Sequence, residues 1–146
     1  MIIKTKYLGE IEINQDQVHT FPYGLLGFEE HKEFVLIDVP ENYNFKFLQD
    51  IKSSYVSFLL ICPGVFYKNY DIEIPDNELK SIDIECYDDS INIYNVVTLG
   101  ETLKDSTCNL LAPIIINNAN KKGRQFILNN TQYTTKHKLI VEELGE

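Results

Sequence analysis

A chain of 146 residues is long enough for one domain with one sizeable core, since folding at this size buries about 70% of the surface an unfolded chain exposes. Its 44% hydrophobic and 24% charged residues are the balance of a globular protein and exclude a disordered or low-complexity chain. Thirteen Lys and Arg against 22 Asp and Glu leave a net charge of −9, which disfavours direct nucleic-acid binding and suits a basic partner.

The opening MIIKTKYLGEIEI has neither the basic start nor the apolar core of a secretory signal, and no apolar run reaches the roughly 18 residues of a membrane span. A cytoplasmic chain without a membrane partner is therefore expected. Within that opening, Ile3, Thr5, Ile11 and Ile13 alternate with charged residues, which predicts two short strands. A three-residue loop Tyr7-Leu8-Gly9 with Gly9 left-handed would set Lys6 opposite Glu10 and Lys4 opposite Glu12.

A strand near 18–21 leads into FPYGLLGFEE, an unusually apolar loop punctuated by Pro22, Gly24 and Gly27. Its Leu25, Leu26 and Phe28 either plug the core or form a contact surface, and the plug is the expected role. EFVLIDV at 33–39 and YVSFLLIC at 55–62 read as strands, the second apolar on both faces and hence central or doubly covered. In IPDNELKSIDI, Asp76 as an N-cap with Leu79 and Ile82 three apart predicts about two helical turns. INIYNVVTL at 91–99 is a further strand.

The stretch CNLLAPIIINNANKKGRQFIL holds Pro113, which cannot donate to a ladder and so marks an edge, a bulge or a bend. Strand residues resume at Ile114 to Ile116, NNANKKG turns with Gly123 at positive φ, and RQFIL returns with Phe126 and Leu128 on one face. Leu110, Leu111, Ile114 and Ile116 are expected in the core, with Asn109 and Asn117 as hydrogen bonders at the bend. Seven or more short strands with little helix predict a mostly β fold: one small antiparallel barrel-like domain over 1–146 with one or two short helices.

Chemistry-bearing patterns are sparse. His19, His31 and His137 lack metal-ligand spacing, so surface or hydrogen-bonded structural roles are expected for His19 and His137 and a solvated loop position for His31. Cys62, Cys86 and Cys108 form no C-x-x-C and read as reduced, buried thiols. No nucleotide-binding or hydrolase motif occurs, and Ser53, Ser54, Ser57 and Ser106 have no base assigned by sequence.

The blocks FPYGLLGFEEHKEFVL, FKFLQD, VFYKNYDIEIPDNEL, STCNLLAPIIINNANKKGRQFILNN and YTTKHKL, in this order across residues 1 to about 140, resemble the FliW family of bacterial flagellar assembly factors. Phe47 stands where that family often has Trp, and Cys108 where Val or Ala is common. The resemblance implies a β-barrel-like regulator with no catalytic residue, cofactor or metal. It would bind flagellin and, when free of it, the RNA-binding repressor CsrA, so that flagellin translation resumes. Expected contacts are Asn69, Tyr70, Asp71 and Glu73, an aromatic beside carboxylates. Neither direct nucleic-acid contact nor self-association is expected. The competing readings are a small-molecule-binding β-barrel, possibly enzymatic, and an RNA-binding β-domain using Lys121, Lys122 and Arg124.

Overall fold

A computed structural model describes residues 1–139 except 64–66, 68–69, 71, 86–89 and 130–131. Its strands are β1 (Ile2–Lys4), β2 (Glu10–Glu12), β3 (Val18–Thr20), β4 (Glu33–Val39), β5 (Asn42–Asp50), β6 (Ser57–Ile61), β7 (Ile91–Thr98), β8 (Thr107–Cys108), β9 (Ile114–Asn117), β10 (Lys122–Gln125) and β11 (His137–Lys138). Strands β3, β4, β5, β6, β7, β9 and β10 pair in that cyclic order, closing where β10 meets β3 in parallel at Lys122 and Thr20. The expected barrel is therefore a closed ring, which removes its sheet edges.

Alternate residues separate two faces of this ring. Phe34, Leu48, Leu60, Tyr94, Ile114 and Ile116 turn inward and pack with Phe21 and Leu25. On the outer face, Phe45, Ile61, Val97 and Ile115 are covered by Ile74, Leu79, Ile82, Phe126, Leu128 and Tyr133. Ile3 and Ile13 of the β1–β2 hairpin cover Val18 and Val35 elsewhere on that face. The molecule is thus a filled ring with two separate outer covers.

The loop 22–30 divides its apolar residues. Leu25 is buried and closes the ring as the plug reading expects, whereas Phe28, edge-on to Phe58 at 5.0 Å, stays exposed against that expectation. Leu26 and Tyr23 remain exposed.

Several expectations need correction. The β1–β2 register pairs Lys4 with Glu10 and Ile3 with Ile11, leaving Thr5 to Gly9 as the loop rather than Tyr7 to Gly9. Thr5 causes this: its hydroxyl donates to the Gly9 carbonyl at 2.6 Å and accepts the Leu8 amide at 2.9 Å, closing a wider turn. The slip is two residues, so Ile3 and Ile11 keep their face, and Gly9 is left-handed at φ 68°. Strand β5, nine residues long, was not among the predicted elements, because Leu48 and Gln49 are apolar-facing and buried in succession and break the alternation.

Pro75, not Asp76, caps the helix Asp76–Leu79, which continues as a 3-10 turn over Lys80–Ile82. The left-handed residue of the last hairpin is Lys121 (φ 59°) rather than Gly123. Gly123 faces the ring interior opposite Ile116, where a Cβ would lie 2.6 Å from the Phe21 ring. It is small because Phe21 occupies that space.

Candidate binding surfaces

The family-like NLLAP stretch is a bulge. Residues 107–108 and 114–117 pair with one edge of β7, and residues 109–113 bow out between them, as Pro113 suggests. Every displaced main-chain group finds a partner in turn. Asn109 Oδ1 accepts the Ala112 amide, Gln125 donates to the Ala112 carbonyl, and the Phe126 and Leu128 amides donate to the Pro113 and Leu111 carbonyls. Asn117 donates to the Ile82 carbonyl at 2.9 Å, tying the ring to its outer cover. Cys108 is buried beside this bulge, which pushes its thiol up to about 12 and keeps it protonated.

Tyr70 belongs to the same network. Its hydroxyl donates to the Leu110 carbonyl at 2.5 Å and accepts from Asn95 Nδ2 at 3.2 Å, while its ring meets Tyr133 at 4.8 Å. Burial raises its pKa, so it stays a donor. Tyr70, Ile72 and Ile74 alternate onto the core and turn Glu73 outward, where its side chain is exposed. Of the four expected contact residues, Tyr70 and Glu73 are placed on opposite faces of one segment, and Asn69 and Asp71 lie outside the described residues.

His31 is not a solvated loop residue. Its Nδ1 lies 2.6 Å from Asp50 Oδ2, and Asp50 Oδ1 accepts the Lys52 and Ser53 amides at 2.6 and 2.9 Å. The pair borders a polar cleft of about 630 Å³ that Ser53 and Tyr55 also line. Asp50 therefore organises the β5–β6 turn and holds the 22–31 loop against it. His19 is a buried, structural residue: its ring has a hydrogen bond to the Gln17 backbone, its Nδ1 has no partner, and desolvation followed by Lys121 lowers its pKa against that bond. His137 is half-buried, edge-on to Tyr67 at 5.5 Å. Among the described residues no group of three or more metal-ligating side chains comes together.

The basic strip of the last hairpin is largely committed internally. Lys122 pairs with Asp83 at 3.2 Å, and Arg124 donates to Ser81 while lying 4.1 Å from the Tyr23 ring centre. A second surface was not anticipated. Tyr7, Val39, Asn42, Phe45, Phe47, Leu59 and Leu99 line an apolar groove of about 350 Å³ on the outer face of the ring. Tyr7 stacks on Phe47 at 5.0 Å and forms one wall.

The class of protein these features define is a closed β-barrel with a filled interior. The chain matches the family model described as FliW protein over residues 2–139, and it belongs to that family of flagellar assembly factors. It is 39% identical to the flagellar assembly factor FliW of Geobacillus kaustophilus over 100% of both chains. Against the one of Bacillus subtilis it is 37% identical, over 94% of this chain and 95% of that protein. A crystal structure of the flagellar assembly factor FliW superimposes with a TM-score of 0.88 at 37% identity, covering 98% of this chain and 99% of that one. A role in flagellar assembly follows. Among the described residues no helix is long and apolar enough to cross a membrane.

Proposed function

We propose that this flagellar assembly factor is a non-enzymatic cytoplasmic regulator that binds flagellin and, when released from it, binds CsrA and relieves repression of flagellin translation. The observation that carries this reading is the full-length likeness to assembly factors on a barrel whose interior is filled by Phe21, Phe34, Leu48, Leu60, Ile114 and Ile116, each 0% exposed. Such an interior offers a small ligand no room, which disfavours the ligand-binding and enzymatic alternative. The net charge of −9 suits a repressor that must expose basic groups to grip RNA, and opposite fields speed encounter.

Glu73 and Asp71, with Asn69 and Tyr70 beside them, are the proposed contacts, and Tyr70 serves by holding the segment in place. Calorimetric titration of flagellin and of CsrA into the protein tests the reading, with heat of binding expected for both. Silence with both partners at micromolar concentration would falsify it. Replacing Asp71 and Glu73 together by Lys is expected to weaken CsrA binding about tenfold or more and to leave the melting temperature nearly unchanged. Unaltered affinity would move the contact elsewhere.

A further inference from the structure

The apolar groove lies on the outer face of the ring beside the β1–β2 turn. Its floor is Phe45 and Phe47 of β5 with Leu59 of β6, whose main chains are already paired, Phe47 with Ile37 and Leu59 and Phe45 with Ile61. A partner cannot add a strand there and must insert side chains. The walls come from the turns on either side: Tyr7 is 57% exposed and Leu99 61%. The turn that follows Leu99 is hydrogen-bonded and tightly packed. The next residue, Gly100, donates to Oγ of the fully buried Ser106, which in turn donates to the Thr102 carbonyl, and a Cβ on Gly100 would lie 2.7 Å from Asp105.

Charge at the rim narrows the occupant. Glu41 sits at the turn between the lining residues Val39 and Asn42, and Glu101 follows Leu99 by two positions. Both are exposed, and among the described residues neither forms an ion pair. Lys6, the neighbour of Tyr7, places its Nζ 5.3 Å from the Tyr7 ring centre.

We propose that the groove walled by Tyr7, Phe47, Leu59 and Leu99 is a docking site for an apolar segment of a protein partner flanked by Lys or Arg. This names a surface for the binding reading above and rests on it. Inserted side chains would displace water from Phe47 and Leu59, and the flanking cations would meet Glu41 and Glu101.

Fluorescence anisotropy tests it, using a labelled amphipathic peptide of Leu and Lys and its counterpart of Leu and Glu. The wild-type protein is expected to bind the Lys peptide and not the Glu peptide. Leu99→Ser and Tyr7→Ser are expected to weaken binding about tenfold or more, and Ile127→Ser, equally exposed but outside the groove, to leave it unchanged. Melting curves check that each variant folds. Equal binding by the groove variants, equal binding of the two peptides, or an equal loss in Ile127→Ser overturns the proposal. Calorimetry with flagellin and CsrA separates the two readings: a partner bound by wild type and equally by Leu99→Ser overturns the groove while the regulator reading stands. If wild type binds neither partner, that reading fails and the peptides alone decide the groove.

Discussion

The outer face of β5–β6–β7 carries two halves of opposite character. Over Phe45, Ile61 and Val97 lies a cover that includes Ile74, Leu79, Ile82, Phe126, Leu128 and Tyr133, sealed by the Tyr70, Asn95 and Asn109 hydrogen bonds. Phe47 and Leu59 are only half-buried: Leu59 packs at the edge of that cover, Tyr7 stacks on Phe47, and the rest of their surface meets solvent in the groove. One strand supplies both halves, since Phe45 and Phe47 are two residues apart on the same face. The difference lies in the polar network, which fixes a segment over Phe45 and leaves Phe47 and Leu59 half-buried.

The largest effect that can test this division is in the sealed half. Ile115 is fully buried beneath the cover, so Ile115→Ala is expected to lower unfolding free energy by about 2 to 5 kcal/mol in urea titrations. Leu99→Ser in the open half should cost under about 0.5 kcal/mol by the same measurement. Comparable losses would erase the distinction.

Next in size is Gly123→Ala. The added methyl must displace the Phe21 ring inside the barrel, at a cost of about 1 to 3 kcal/mol by thermal or urea unfolding. Tyr70→Phe removes a hydroxyl that bridges Leu110 and Asn95, leaving the Leu110 carbonyl short of a donor. A loss of about 1 to 3 kcal/mol is expected, with CsrA affinity little changed if the residue acts by holding its segment.

The smallest effect is pH-dependent. His19 has its pKa lowered from 6.5 in the folded state, so the unfolded chain binds more protons as pH falls. Above pH 6.5 His19 is neutral in both states and adds no pH dependence, and stability is lost as pH drops from there toward the folded value. Wild type should therefore lose stability between pH 7.5 and pH 5.5 more steeply than His19→Phe, as read from paired urea titrations at about these pH values. Parallel slopes would place the sensitivity on other groups.

Much of the ring was legible in sequence, and the reasons are local. β4 appears at 33–39 as read because its apolar run is flanked by charge and by Pro40, and the bulge at 109–113 announces itself through Pro113. Leu110, Ile114, Ile116, Phe126 and Leu128 are buried as their spacing implies. β5 was hidden because its far end faces a covered outer surface, so Gln49 is buried and accepts the Lys6 amide where alternation calls for a solvated polar residue. Gly123 was misplaced for a related reason: only the folded ring brings Phe21 across to it.

The surface features were much less legible. The groove draws Tyr7, Val39, Phe47, Leu59 and Leu99 from separate turns and strands, and nothing in their spacing joins them. The nearest signal was the pair Phe45 and Phe47, two aromatics two residues apart on one strand face. Tyr70 stood out for its aromatic character beside carboxylates, yet its hydroxyl serves the bulge some 40 residues away in sequence.

The most direct test follows the methyl groups of isotope-labelled protein by NMR while CsrA or flagellin is added. Signals of Val39, Leu59 and Leu99 are predicted to shift or broaden, and those of Leu110, Ile115 and Leu128 to stay in place. Perturbation of the sealed half with an unmoved groove would contradict the account.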